Sequence, residues 1–144
     1  MIEVGGEVRW KGETIEGRKW RICSEEPREE RTQGQFQTIV VLDTMALATS
    51  GNYRKYWVND KGQRVVHTID PQTGNPVVSN LLSASIIAKN ATMADALATA
   101  SMVGGVEFKQ FIEHLDGVEG YFILGNKLGG FDVVKTSGWE AYEL

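Results

Sequence analysis

Helical periodicity in this chain is confined to one stretch, residues 92–115, with β-type sequence on both sides of it. In Met93–Val103 the residues Ala94, Leu97, Ala98, Ser101 and Met102 recur at helical spacing, and the small ones among them let a helix lie close against a sheet. Gly104-Gly105 ends that helix. Glu107–Leu115 reads as a short second helix, with Phe108, Phe111, Ile112 and Leu115 on one face. The order that results is about six strands, then two helices, then two strands. Runs of strands followed by helices predict an α+β fold, a mainly antiparallel sheet with the helices packed on one side, rather than a wound parallel sheet. With 144 residues and 42% hydrophobic side chains, residues 1–144 suffice for a single domain with its own core.

Local pattern gives the strands. Ile2–Lys11 is a strand interrupted by Gly5-Gly6, which implies a bulge or a place where a ligand lies on the backbone. Arg18–Cys23 alternates, with Trp20 and Ile22 on one face and Cys23 as a small buried or half-buried side chain. Ser24–Gln35 is the most polar part of the chain and reads as an exposed loop. Phe36–Leu42 is a continuous apolar run that suits a strand buried on both faces, and Met45–Thr49 is its expected hairpin partner. Gln63–Ile69 and Leu81–Ala88 are further strands, and Gly120–Leu124 with Phe131–Lys135 makes a closing hairpin. Tyr53, Tyr56 and Trp57 crowd with Arg54 and Lys55, a set that stacks on a flat ligand or packs on a loop.

Composition removes several function classes. The net charge of −4 leaves no basic surplus for non-specific nucleic-acid binding. No apolar run reaches the length of a bilayer span, and Met1-Ile2-Glu3-Val4 lacks the basic and apolar parts of a signal peptide. A single cysteine excludes an internal disulfide, and the two histidines, His67 and His114, are too far apart in sequence to suggest a His-rich metal site.

Polar chemistry gathers in three segments: Ser50-Gly51-Asn52-Tyr53, His67–Pro76, and the helix start at Thr92. On a helix, Asp95 and Thr99 share one face, so a carboxylate and a hydroxyl offer two hard oxygens to a small cation such as Mg²⁺. The same residues also fit a purely structural use. Asn90 or Thr92 caps the helix; with Thr92 as the cap, Thr92-x-x-Asp95 matches a capping box, and Thr99 can bond back to the Asp95 carbonyl. The run from Asp70 and Pro71 to Gly74 and Pro76 is dense in turn formers and predicts a loop of fixed shape. Neither a Gly-x-Gly-x-x-Gly nor a P-loop pattern is present. Ser50, His67 and Asp70 assemble a hydrolase triad on paper, but spacing gives it no support because triads are defined by geometry.

Taken in order, A-L-A-T-S-G-N-Y-R-K-Y-W, H-T-I-D-P-Q-T-G-N-P and A-D-A-L-A-T-A resemble the C-terminal half of the ApbE family. These are flavin transferases, also called FAD:protein FMN transferases and formerly thiamine biosynthesis lipoproteins. The N-terminal V-G-G-E-V-R-W-K-G resembles the glycine pair that follows the family's central helix, so the resemblance runs over nearly the whole chain. It implies a Mg²⁺-dependent reaction in which FAD is cleaved at its pyrophosphate, FMN passes to a Thr or Ser of a target flavoprotein, and AMP leaves. Asp95 and Thr99 match the family's metal ligands. His67 matches the motif histidine near the phosphates, where it assists proton transfer from the acceptor hydroxyl or orients a phosphate. Ser50, Gly51 and Tyr53, with Asp70, Pro71, Thr73 and Gly74, match loops that line the FAD site. Gly5 and Gly6 let the backbone approach the flavin. The implied partners are FAD and an acceptor flavoprotein of the kind found in membrane redox complexes, and the implied location is periplasmic, at the outer face of the cytoplasmic membrane.

The chain departs from the family pattern at its start. Family members are longer, and their upstream Lys-Gly-Tyr-Ala-x-Asp type segment, which supplies a further metal ligand and part of the FAD pocket, has no counterpart here. The lipoprotein cysteine is also missing. The expectation is therefore a chain without the N-terminal half, with an open sheet edge that this half or a homodimer partner covers. The alternatives to a transferase are an FAD-binding module, an FAD pyrophosphatase that yields FMN and AMP, or an inactive fragment that needs its N-terminal half.

Overall fold

In a computed structural model that describes residues 1–25, 36–52, 56–58, 60 and 64–144, the chain adopts an α+β fold. Its elements, in chain order, are β1 (Ile2–Val4), β2 (Glu7–Arg9), β3 (Trp20–Glu25), β4 (Phe36–Leu42), β5 (Ala46–Gly51), β6 (Tyr56–Val58), β7 (Arg64–Val66), β8 (Leu81–Ala88), α1 (Ala91–Gly104), α2 (Lys109–Glu113), β9 (Glu119–Gly125) and β10 (Phe131–Lys135). Six strands form one antiparallel sheet in the order β1-β2-β5-β8-β9-β10, while β3-β4 and β6-β7 are separate two-stranded ribbons. Among the described residues no helix is long and apolar enough to cross a membrane.

The sheet has a different cover on each face. On one face α1 lays Ala94, Ala98 and Met102 onto Ala46, Ala48, Ala84 and Ile86, all of them buried. Alanine on both surfaces lets the helix approach closely, as its sequence implied. Ile112 of α2 and Phe122 of β9 complete this cluster. On the other face, Val8, Leu47, Ile87 and Ile123 pack against Val40 and Leu42 of the β3-β4 ribbon and against Trp10 and Trp139. The C-terminal segment extends that ribbon: Val41 N–H donates to the Tyr142 carbonyl at 2.8 Å and Leu144 N–H to the Ile39 carbonyl at 3.0 Å.

Several sequence expectations are corrected. Gly5-Gly6 is not a bulge inside one strand but the turn of the β1-β2 hairpin, with φ of +69° and +113° that glycine alone takes without strain. Met45–Thr49 does not pair with Phe36–Leu42. The chain turns a corner at Thr44, whose φ is +56°, and β5 leaves the ribbon to pair with β2 and β8. The strand buried on both faces is β8, in the middle of the sheet. In β4, Thr38, Val40 and Leu42 are buried and Ile39 and Val41 only half-buried, the alternation of a one-sided ribbon. Cys23 is exposed, because it lies opposite the Trp20 and Ile22 face that packs on the core. The second helix is shorter than expected: a 3-10 turn at Val106–Phe108 leads into α2. The Gln63–Ile69 strand contracts to β7, and most of the Ser24–Gln35 loop lies outside the described residues.

Candidate functional site

Helix α1 is positioned by both of its surroundings. Asn90, not Thr92, is the N-cap: its side chain accepts from Met93 N–H at 2.8 Å. Asp95 therefore falls past the first turn and has no capping part, which removes the capping-box reading. Thr99, one turn on, is exposed like Asp95. Its Oγ1 lies 3.1 Å from Ser50 Oγ at the end of β5, rather than bonding back along the helix. The antiparallel β5-β8 register and the chain reversal at Asn90 bring α1 back along β5, so a strand hydroxyl and a helix hydroxyl meet.

That meeting point is part of a cleft of about 540 Å³. Gly5, Ser50, Gly51, His67 and Thr99 line it, so four separate segments converge there: the β1-β2 turn, the end of β5, the stretch after β7, and α1. The neighbours Glu7, Thr49, Thr68 and Val103 also line it and were not singled out from sequence. Glu7 had a legible signal, since it stands one residue after the glycine pair and alternation places it on the same face as Arg9. Thr49 and Thr68 had none. Their hydroxyls make local pairs, Thr49 Oγ1 with Ser85 Oγ at 2.7 Å and Thr68 Oγ1 with Asn52 Oδ1 at 2.8 Å, which hold the floor and rim in place.

The Asp70–Gly74 loop has a fixed shape, and Asp70 supplies it. The Asp70 carboxylate accepts from Gln72 N–H at 2.8 Å and from Thr73 Oγ1 at 3.0 Å, while its carbonyl accepts from Gly74 N–H at 2.8 Å. Gly74 sits at φ +68°, and an Ile69–Pro76 bridge closes the base. Asp70, Pro71, Thr73 and Gly74 are not among the described residues lining the 540 Å³ cleft; they stand beside it, on the segment that carries His67. Gly6 likewise is in the turn but not in the lining. Tyr53, with Arg54 and Lys55, lies outside the described residues.

As a cation site the residues fit in kind but not in number. Asp95 and Thr99 present hard oxygens from one helix face, the donors Mg²⁺ favours. Among the described residues no group of three or more His, Cys, Asp or Glu side chains gathers to hold a metal ion. A cation held there would need its remaining ligands from water, substrate oxygens or another segment.

A family model described as the ApbE family matches residues 1–122. The chain belongs to the ApbE family. The matched range contains every segment of the cleft, and only the end of β9, β10 and the C-terminal segment lie beyond it. The FAD:protein FMN transferase of Haemophilus influenzae is 36% identical over 139 residues, 95% of this chain and 38% of that protein. The FAD:protein FMN transferase of Vibrio cholerae serotype O1 is 43% identical over 107 residues, 74% of this chain and 31% of that protein. The apo crystal structure of the Pseudomonas stutzeri flavinyl transferase ApbE matches with a TM-score of 0.79 and 34% identity, over 97% of this chain and 42% of that one. The chain thus spans less than half the length of these ApbE relatives.

Proposed function

We propose that the cleft is the flavin-processing site of a Mg²⁺-dependent FAD:protein FMN transferase, which cleaves the FAD pyrophosphate, transfers FMN to a Thr or Ser of an acceptor flavoprotein and releases AMP. The observation that carries this reading is the convergence of Ser50, His67 and Thr99, from three motifs far apart in sequence, on one cleft. The names of the relatives support the flavin chemistry. Phosphoryl transfer asks a protein mainly for positioning and for neutralised charge. In this reading a cation held by Thr99, which lines the cleft, and by Asp95, one turn before it on α1 and outside the described lining, supplies the neutralised charge. Such a cation stabilises charge on the phosphate oxygens. Ser50, fixed on Thr99, and the Gly51 backbone hold the phosphate region, and His67 donates to a phosphate oxygen. Gly5 leaves the hairpin turn open for a close-lying ligand. The Asp70, Pro71, Thr73 and Gly74 loop, with Gly6, frames the rest of the flavin nucleotide. A periplasmic location and an acceptor from a membrane redox complex go with this reading.

The test is covalent transfer. The chain is incubated with FAD, Mg²⁺ and an acceptor peptide carrying one Thr, and the peptide is analysed by mass spectrometry. We expect an FMN adduct together with AMP. Free FMN and AMP without adduct supports the pyrophosphatase reading instead, and quenched FAD fluorescence without any product supports a binding module.

A further inference from the structure

Strand β5 is paired along its whole length on one side only. It runs antiparallel to β8 in register from Ala46–Ala88 to Gly51–Ser83. Its other neighbour, β2, meets only Ala46 and Leu47, because the chain turns away through Gly5-Gly6. Hydrogen-bond alternation fixes which groups this leaves over. Asn52 N–H donates to the Leu82 carbonyl at 2.9 Å, so Asn52, Ser50 and Ala48 direct their backbone groups toward β8. Thr49 and Gly51 direct theirs the opposite way, into the row where β2 has stopped. Among the described residues nothing pairs with these N–H and C=O groups. Both residues line the cleft, so this free stretch of edge is a wall of the site.

We propose that this stretch of edge docks the acceptor protein, whose extended segment bearing the Thr or Ser adds as a short antiparallel strand against Thr49–Gly51, in line with β2. The proposal rests on the transferase assignment. With Gly51 N–H kept for the phosphate region, the row offers Thr49 N–H, Thr49 C=O and Gly51 C=O. Carbonyl oxygens only accept hydrogen bonds, so they do not suit a phosphate. FAD has hydroxyl and ring N–H donors of its own, so donor chemistry alone does not choose the occupant; spacing does. The two carbonyls stand one strand repeat apart, about 7 Å, with an N–H in the same row. A second main chain carries the complementary groups at that same repeat, and FAD has no such repeat. Facing residues of paired strands share a face of the sheet. A residue opposite Ser50 therefore turns its side chain to the helix-covered side, where Ser50 Oγ meets Thr99 Oγ1 at 3.1 Å. Its own N–H and C=O point away from β5. The acceptor Thr or Ser belongs at that position, and its two neighbours, opposite Thr49 and Gly51, make the backbone bonds.

The experiment supplies the wild-type chain with FAD, Mg²⁺ and a set of peptides with one central Thr, each N-methylated at a single residue. Adduct formation is followed by mass spectrometry at peptide concentrations below saturation. N-methylation removes one backbone donor and leaves every side chain as it was. We expect the rate to fall about tenfold when the residue just before or just after the Thr is methylated, the effect of one lost hydrogen bond. Methylation of the Thr itself, or of a residue two positions away, should leave the rate within about threefold of the unmethylated peptide, because those N–H groups face away from β5. Equal rates across the set overturn the proposal. So does a loss confined to the Thr and the residues two positions away, which puts the hydroxyl on the wrong face. A chain that quenches FAD fluorescence but forms no adduct with the unmethylated peptide overturns the transferase reading itself, and this proposal with it.

Discussion

Hydroxyl groups, more than charges, define the site at the scale of single side chains. Thr99 is exposed and its hydroxyl meets Ser50 Oγ at 3.1 Å, so its loss leaves no buried group unsatisfied. Thr99→Val should therefore change stability by no more than about 1 kcal/mol. Mg²⁺-dependent AMP release should fall at least about tenfold, because a cation ligand and the anchor of Ser50 go together. Unfolding in urea beside a product assay checks both halves; an unchanged rate removes Thr99 from the site. The Asp95 and Thr99 spacing was legible in sequence because helix geometry fixes it. The Ser50 contact was not, since that residue lies 49 positions away and is brought in only by sheet register. Asp70 shows the reverse. Sequence read it with the FAD loop, and the structure shows its carboxylate holding that loop together.

Helix α1 is the element on which the site depends, and its depth against the sheet sets where Thr99 stands. Ala98 is fully buried between α1 and the alanines of β5 and β8. Ala98→Leu should overpack this contact, cost about 1–3 kcal/mol and lift the helix, separating Thr99 from Ser50. Asn90→Ala removes the N-cap bond and should cost about 1 kcal/mol without moving the packed face. Melting curves should thus show both variants weakened. FAD turnover well below the melting temperature should be lost only in Ala98→Leu, and equal turnover in the two would argue that helix depth does not matter. Local pattern sufficed for β8, α1 and the β9-β10 hairpin, whose apolar runs and turns lie within short windows. It failed at β4 and β5, where nearness in sequence suggested a hairpin. The positive φ of Thr44 and the pull of two core faces sent consecutive strands into different sheets.

Across the whole molecule, carboxylates tie the C-terminal segment to the rest. Glu143 joins β4 and β10 by accepting from Thr38 Oγ1 at 2.7 Å and pairing with Lys135. Burial pushes its carboxyl up, but the hydrogen bonds from Lys135 and Thr38 and the Lys135 charge outweigh this and hold it below the ordinary 4.5. Glu113 is held low by hydrogen bonds from Lys109 and from Ser137. For both, the folded value lies below the unfolded one. The stability they contribute is fully present above about pH 4.5 and is lost as pH falls through the folded values. Thermal melts should therefore show Tm falling on acidification below that point, with a shallower fall in Glu143→Gln; identical acid slopes would remove this clamp from the stability of the fold.

The central claim is that Asp95 and Thr99 hold the cation that works on FAD. The most direct measurement is AMP release from FAD, with and without Mg²⁺, by the wild-type chain and by Asp95→Ala. Release that requires Mg²⁺ in the wild type and disappears in Asp95→Ala is the predicted result. Mg²⁺-dependent release that continues unchanged in Asp95→Ala would contradict it.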